Sequence, residues 1–254
     1  MNDDPAEPLD HAIASPSRTA VDLRWYVAGH LVAVPLGLGA LAWFVQHGSL
    51  DLAIATLFVD PASHRFAWHD SAWLEILGHQ AARSLPFLVG AIALAAGAAS
   101  YSIAALRAWR PILLTIGAAM VLGPLTVDAL KTMTTQHCPL ALQTFGGIVD
   151  YGADLHGPFW ARSKESAGHC LPSGHAGGGY ALLSLYFAGW AAGRPAWRWR
   201  GLAIGIGAGL LFSVVRMMQG AHFASATIWS ATVDWTVCAA LFLPLLCRST
   251  TADG

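Results

Sequence analysis

Four side chains in this sequence have the types needed to work on a phosphate. They are Lys131 in "KTMTTQHCP", His175 in "PSGH", and Arg216 and His222 in "RMMQGAHF". Of two imidazoles, one can attack phosphorus and the other can protonate the leaving oxygen. Lys and Arg neutralise phosphoryl oxygens, and Arg does so bidentately. Ser173 adds a hydroxyl donor, and Gly174 lets backbone approach closely. Each residue alone has an ordinary reading. A lysine at a helix end snorkels, an arginine at a membrane edge anchors to head groups, and a single histidine is usually structural. The chemistry becomes specific only if the elements that carry these residues meet.

Those elements are membrane helices. The chain has 254 residues, of which 55% are hydrophobic and 11% charged, with mean hydropathy +0.50. Soluble domains average about 25% charged residues. Crossing a bilayer takes about 20 apolar residues of helix. Six stretches qualify, near 24–46, 84–106, 111–130, 174–193, 201–220 and 226–247. The expected fold is therefore all-α: a polytopic bundle of six transmembrane helices with short interfacial helices in 47–83. Runs such as "GAIALAAGAAS" and "GLAIGIGAGLL" supply the small residues that let such helices pack closely. A domain of 23–248 is expected, with a disordered cytoplasmic tail at 1–22 and a short tail at 249–254.

Basic residues of short loops mark the cytoplasmic side. Arg18, Arg24, Arg107, Arg110, Arg194, Arg198, Arg200 and Arg248 all fall on one side of the six spans. Segments 47–83 and 131–173 then face outward. Lys131, His175, Arg216 and His222 all come to that outer face. The N-terminus of the fourth span adds backbone N–H groups suited to an anion. A formal net charge of −1 gives no reason to expect nucleic acid.

In order and spacing, the clusters resemble the three motifs of the type 2 phosphatidic acid phosphatase superfamily, integral-membrane lipid phosphatases. The first motif is Lys, six residues, then Arg-Pro; Lys131 and Pro139 match and Cys138 stands at the Arg. The second, Pro-Ser-Gly-His, matches throughout at Pro172–His175. The third is Ser-Arg, five residues, His, three residues, Asp; Arg216 and His222 match, with Val215 at the Ser and Ala226 at the Asp. The resemblance implies that His222 is the nucleophile, forming a phosphohistidine, and that His175 is the general acid. It implies that Lys131, Arg216, Ser173 and Gly174 hold the phosphate, with no metal and no cofactor. The implied partners are a phosphorylated lipid substrate and membrane lipids.

Two departures alter that expectation. The motif Asp accepts a hydrogen bond from the nucleophilic histidine and sets its tautomer. Ala226, one helical turn after His222, cannot. Ser225 is expected to point elsewhere, and Asp234 lies two turns further on. The chain then reads as an inactivated form, by an engineered Asp→Ala change or as a natural pseudoenzyme. Cys138 removes a guanidinium from the cradle. With Cys170 it can form an extracytoplasmic disulfide, stay as free thiols, or join His137 and His169 around zinc. Cys238 and Cys247 read as packing residues.

The leading expectation is a lipid phosphate or diphosphate phosphatase of the bacterial inner membrane, with its site facing the periplasm. Candidate substrates are lipid A, undecaprenyl diphosphate, phosphatidylglycerol phosphate and phosphatidic acid. Phosphotransfer to a lipid acceptor through the same phosphohistidine is an alternative, and so is non-catalytic binding of a lipid phosphate. A transporter fits poorly, because the ionisable residues gather at one mouth instead of the midplane.

Overall fold

The structure, a computed structural model, describes residues 21–150 and 168–247 and is mostly helical. Five helices among these residues are long and apolar enough to cross a membrane. In order they are α1 (Leu23–His47), α3 (Ala72–Ala99), α4 (Ala104–Thr132), α7 (Pro195–Met218) and α8 (Ala224–Leu246). Between α1 and α3 lie the short helix α2 (Leu50–Thr56) and a hairpin of β1 (Val59–Asp60) and β2 (Arg65–Phe66). The fourth expected span is not one helix. It is α5 (Gly174–Tyr180), a 3-10 turn at Ala181–Leu183, and α6 (Ser184–Ala191).

That interruption has a packing cause. Nearly every residue from Ala176 to Ala192 is buried, so protein encloses this segment more than lipid could. The consecutive glycines Gly177, Gly178 and Gly179 weaken helix propensity and allow neighbours to touch backbone. A Cβ on Gly179 would lie 2.7 Å from the Cα of Gly209 in α7. The small-residue stripes therefore do bring helices into backbone contact. Large apolar side chains on the outer helices, including Leu36, Phe44, Phe87, Ile92, Leu125 and Leu210, are exposed, as a lipid-facing surface requires.

The all-α expectation needs one correction. Segment 47–83 holds a hairpin, because Phe66 is wanted in a second apolar core with Ala55, Leu142, Phe145 and Phe223. Residues 72–83 are not a separate short helix; they form the first turns of α3, twelve residues earlier than the expected start near 84. The polar residues Glu75, His79 and Arg83 obscured the helix because they face the site described below. The expected tails at 1–22 and 249–254 lie outside the described residues, apart from two. Val21 donates its N–H to the Leu246 carbonyl (2.9 Å). Asp22 caps α1, accepting from the N–H groups of Arg24 (2.8 Å) and Trp25 (3.1 Å). The start of α1 and the end of α8 thus share one end of the bundle, opposite Lys131, Arg216 and His222.

The main core forms around the α5–α6 segment. Tyr26, Tyr186, Phe187, Trp235 and Phe242 pack together there. Tyr26 donates its hydroxyl to the Ala239 carbonyl (2.8 Å), and the Trp235 indole donates to the His30 carbonyl (3.0 Å). These bonds satisfy polar tips inside an apolar interior.

Candidate active site

Four elements deliver the site to one end of the bundle. Lys131 lies in the last turn of α4, and His175 in the first turn of α5. Arg216 lies in the last turn of α7. His222 sits in the short link before α8. Gly220 makes that link tight: its φ is 67°, and the Ala221 N–H returns to the Arg216 carbonyl (2.9 Å). The rings of His175 and His222 stand 6.4 Å apart. Arg216, Lys131 and His175 all lie close enough to His222 to act on its charge.

The second and third motif regions are tied together by backbone. Ser173 donates its N–H to the carbonyl of Ala226 (3.1 Å) and to the Ser230 hydroxyl (2.9 Å). The Ser230 hydroxyl in turn donates to the Ser173 carbonyl (2.8 Å). Ser173 is wholly buried, and its hydroxyl accepts from the Ala176 N–H (3.4 Å) as the cap of α5. In this arrangement the Ser173 hydroxyl frames the site and does not open onto it. Gly174 faces Asp128, whose Oδ1 would lie 3.0 Å from a Cβ at that position.

His222 is 4% exposed. Its Nδ1 lies 3.0 Å from the carbonyl oxygen of Cys170. A carbonyl only accepts, so Nδ1 carries the proton and Nε2 keeps its lone pair. His222 therefore has an acceptor despite Ala226, which corrects the expectation of an unpartnered imidazole. Burial pushes the His222 pKa down to about 3; the Cys170 bond opposes this, while Arg216 and Lys131 add to it. Cys138 and Cys170 form a disulfide with Cα atoms 5.2 Å apart. Of the three sulfur states open in the sequence, the structure has this one. Among the described residues no group of three or more His, Cys, Asp or Glu could hold a metal ion.

Four neighbours escaped the sequence reading. Glu75 lies 3.7 Å from both the Arg216 guanidinium and His79 Nδ1. The His79 ring stands 4.9 Å from that of His175. Gly78 allows this approach, since a Cβ there would lie 2.5 Å from Val215 and 3.4 Å from Arg216. The turn that carries Gly78 and His79, Ile76–Ala81, is π-helical, a form that often marks function. Spacing held the signal: Glu75, His79 and Arg83 recur every four residues, on one helix face. Gln219 completes the group, donating to Glu75 (3.5 Å) and accepting from Arg216 (2.9 Å).

Asp51 is the fourth neighbour, and its signal was absent. From α2 it accepts the N–H of Ser225 (2.9 Å) and the Ser225 hydroxyl. It thereby caps α8 from a distant part of the chain. Ser225 does point away from His222, as expected. Asp234, the other acid considered near His222, is wholly buried in α8 against Gly123 and Gly177, with neither carboxyl oxygen hydrogen-bonded.

Below the site, an apolar groove of about 500 Å³ runs between α4 and α8. Leu130, Met133, Trp229, Val233 and Val237 line it, and Leu171 and Pro172 form its rim beside Ser173.

No curated protein and no solved structure matches the chain. The family model of the PAP2 superfamily matches residues 112–245. That range covers more than half of the sequence and contains Lys131, His175, Arg216 and His222, the four residues that the fold gathers at one end. On that match the chain belongs to the PAP2 superfamily.

Proposed function

We propose that the protein is a membrane lipid phosphate or diphosphate phosphatase that works through a phosphohistidine. Membership of the PAP2 superfamily points to phosphatase chemistry. The observation that carries the finer reading is the pair of imidazoles, 6.4 Å apart, beside Arg216 and Lys131. In this reading the lipid phosphate sits between the rings, its oxygens facing Lys131 and Arg216. Nε2 of His222 attacks phosphorus, and the bond from phosphorus to the lipid oxygen breaks. His175, made cationic by the bound anion beside it, gives that oxygen its proton. Water then attacks the phosphohistidine and loses a proton to His175. Inorganic phosphate leaves, and both histidines return to their starting states.

The apolar groove supports a lipid as the substrate. Its rim abuts the site, and its lining suits an acyl or prenyl chain. The loop charges support six crossings of a bacterial inner membrane with this end in the periplasm. Lipid A, undecaprenyl diphosphate, phosphatidylglycerol phosphate and phosphatidic acid all fit that placement. Ala226 favours a second reading, a binder of lipid phosphates without turnover. Phosphate release from these four lipids by the purified protein, against His222→Gln, decides between them. Release abolished by that substitution is the expected result. No release, with retained preference for phosphorylated over dephosphorylated lipid, would establish the binder.

A further inference from the structure

We infer that the backbone carbonyl of Cys170, held in place by the Cys138–Cys170 disulfide, positions His222 as a carboxylate at 226 would. The inference rests on the reading of His222 as nucleophile. An acceptor at Nδ1 does two things for such a histidine. It fixes the tautomer that leaves Nε2 free, and it fixes the ring plane. The carbonyl of Cys170 stands at 3.0 Å from Nδ1 and does both. Ala226 has no side-chain acceptor, and its own carbonyl is engaged with Ser173 and Ser230.

The carbonyl is not placed by a helix or a sheet. Residues 168–172 form an irregular segment, and His169 within it has a left-handed backbone (φ 49°). What fixes this segment is its attachment to residues 131–138. Gly168 donates to the Thr135 carbonyl (3.1 Å), and Cys170 donates to the Gln136 carbonyl (2.9 Å). Thr134 donates its hydroxyl to the Leu171 carbonyl. His169 Nδ1 meets the Lys131 carbonyl at 3.1 Å. The disulfide is the covalent member of this set, and it falls on the residue whose carbonyl faces His222. Cys138 thus occupies the place of the motif arginine with a different task. It anchors the acceptor of the nucleophile instead of adding charge to the phosphate cradle. Phosphoryl transfer then depends on the oxidised pair.

Substitution at 170 keeps the carbonyl and removes only the anchor, so the two contributions separate cleanly. The experiment uses the full chain in detergent. A dithiol reductant breaks the disulfide, yielding two cysteine thiols and the reductant's own disulfide. The same state is mimicked by Cys138→Ala with Cys170→Ala. Two quantities are read: phosphate release from the four lipids, and the His222 tautomer from ¹⁵N NMR, with His222→Gln giving the assignment. The oxidised protein should show a single Nδ1–H tautomer. Reduction or the double substitution should give a mixture, and release should fall on the order of 10²-fold, the cost of a reacting group misplaced by about 1 Å. Adding Ala226→Asp to the double substitution should restore the single tautomer and the rate. A tautomer and rate that ignore reduction overturn the inference. So does a loss that Ala226→Asp leaves unrestored, because that marks general loosening of the fold. If His222→Gln abolishes release while reduction changes nothing, the inference falls and the phosphatase reading stands. If the tautomer responds to reduction but no form releases phosphate, the phosphatase reading falls and the positioning role stands.

Discussion

Nδ1 of His222 lies 3.0 Å from the carbonyl oxygen of Cys170, across 52 residues of sequence. That single bond changes what Ala226 means. The sequence argues that the nucleophile lacks an orienting partner, whereas the fold supplies one from the backbone. A carbonyl differs from a carboxylate in charge, so it sets the tautomer without fully stabilising an imidazolium.

Ala226→Asp should therefore raise phosphate release modestly. Removing the carboxylate from a serine-protease triad costs about 10⁴-fold, largely through the wrong tautomer. Here the tautomer is already right, and only the charge is missing. Charged and neutral hydrogen bonds differ by about 1.5 kcal/mol, or roughly tenfold in rate. A gain of about tenfold is expected in the initial rate on the preferred lipid. A gain near 10⁴-fold would show that Cys170 does not orient the ring.

The pH behaviour of His222 follows from its burial. Its pKa is pushed down to about 3, so the ring stays neutral and nucleophilic far below the ordinary histidine range near 6.5. A base depressed in the folded state favours folding above its unfolded value and loses that contribution as pH falls toward 3. An NMR titration in detergent should find His222 neutral at pH 5. Protonation of that ring with a midpoint near 6.5 would contradict the buried placement.

Much of this arrangement was legible in the sequence, and the reasons for the remainder are physical. Periodic apolar runs locate α1, α4, α7 and α8 to within seven residues at either end, because long helices with few charges have no competing reading. The fourth span reads as one helix, since a 3-10 turn of Ala-Leu-Leu carries no breaker residue. Glu75 and His79 were lost because polar residues near a span look like loop, although their spacing of four was visible. Asp51 and the Cys170 carbonyl had no local signature. One acts on a helix 174 residues away, and the other is a backbone atom that no residue type reveals.

Glu75 faces Arg216 at 3.7 Å, with Gln219 bridging them. A phosphate that takes Arg216 must compete with that carboxylate. Glu75→Gln removes the competing charge and keeps a side chain of the same shape, so lipid-phosphate affinity should rise severalfold. Arg216→Ala should lower it by more, since a charge-assisted bond contributes roughly 1.5–3 kcal/mol. Affinities for a phosphorylated lipid and its dephosphorylated form, compared across the three proteins, check both. Weaker binding by Glu75→Gln would mean that Glu75 organises Arg216 instead of competing for it.

Asp51 is 1% exposed, and burial raises its carboxyl to about 6 against the hydrogen bonds from Ser225. An acid raised in the folded state contributes most below its unfolded value near 4 and loses that contribution as pH climbs through 6. The shift corresponds to about 3 kcal/mol at most. Asp51→Asn keeps an acceptor for the Ser225 N–H and removes the titration. Apparent thermal midpoints should therefore fall more between pH 4 and 7 for the unaltered protein than for Asp51→Asn. Parallel pH profiles would show that Asp51 stays charged in its pocket.

The groove between α4 and α8 gives the last prediction, because it separates lipid recognition from phosphate chemistry. It holds about 500 Å³ of apolar space, and its rim at Leu171 and Pro172 adjoins the motif that carries His175. A chain lying there would align a lipid's head group with the histidines, so filling the groove should hurt only substrates that have such a chain. Val233 lines it, eleven residues past His222 along α8, and Val233→Trp adds bulk where a chain would run. KM for a long-chain lipid phosphate should rise about tenfold or more. That is the scale of losing two or so buried methylenes at about 0.8 kcal/mol each. The rate on a short, soluble phosphate ester should stay unchanged, since its chemistry needs only the residues above the rim. Equal losses on both substrates would mean that the substitution disturbs the site itself. No loss on either would place the lipid chain outside this groove.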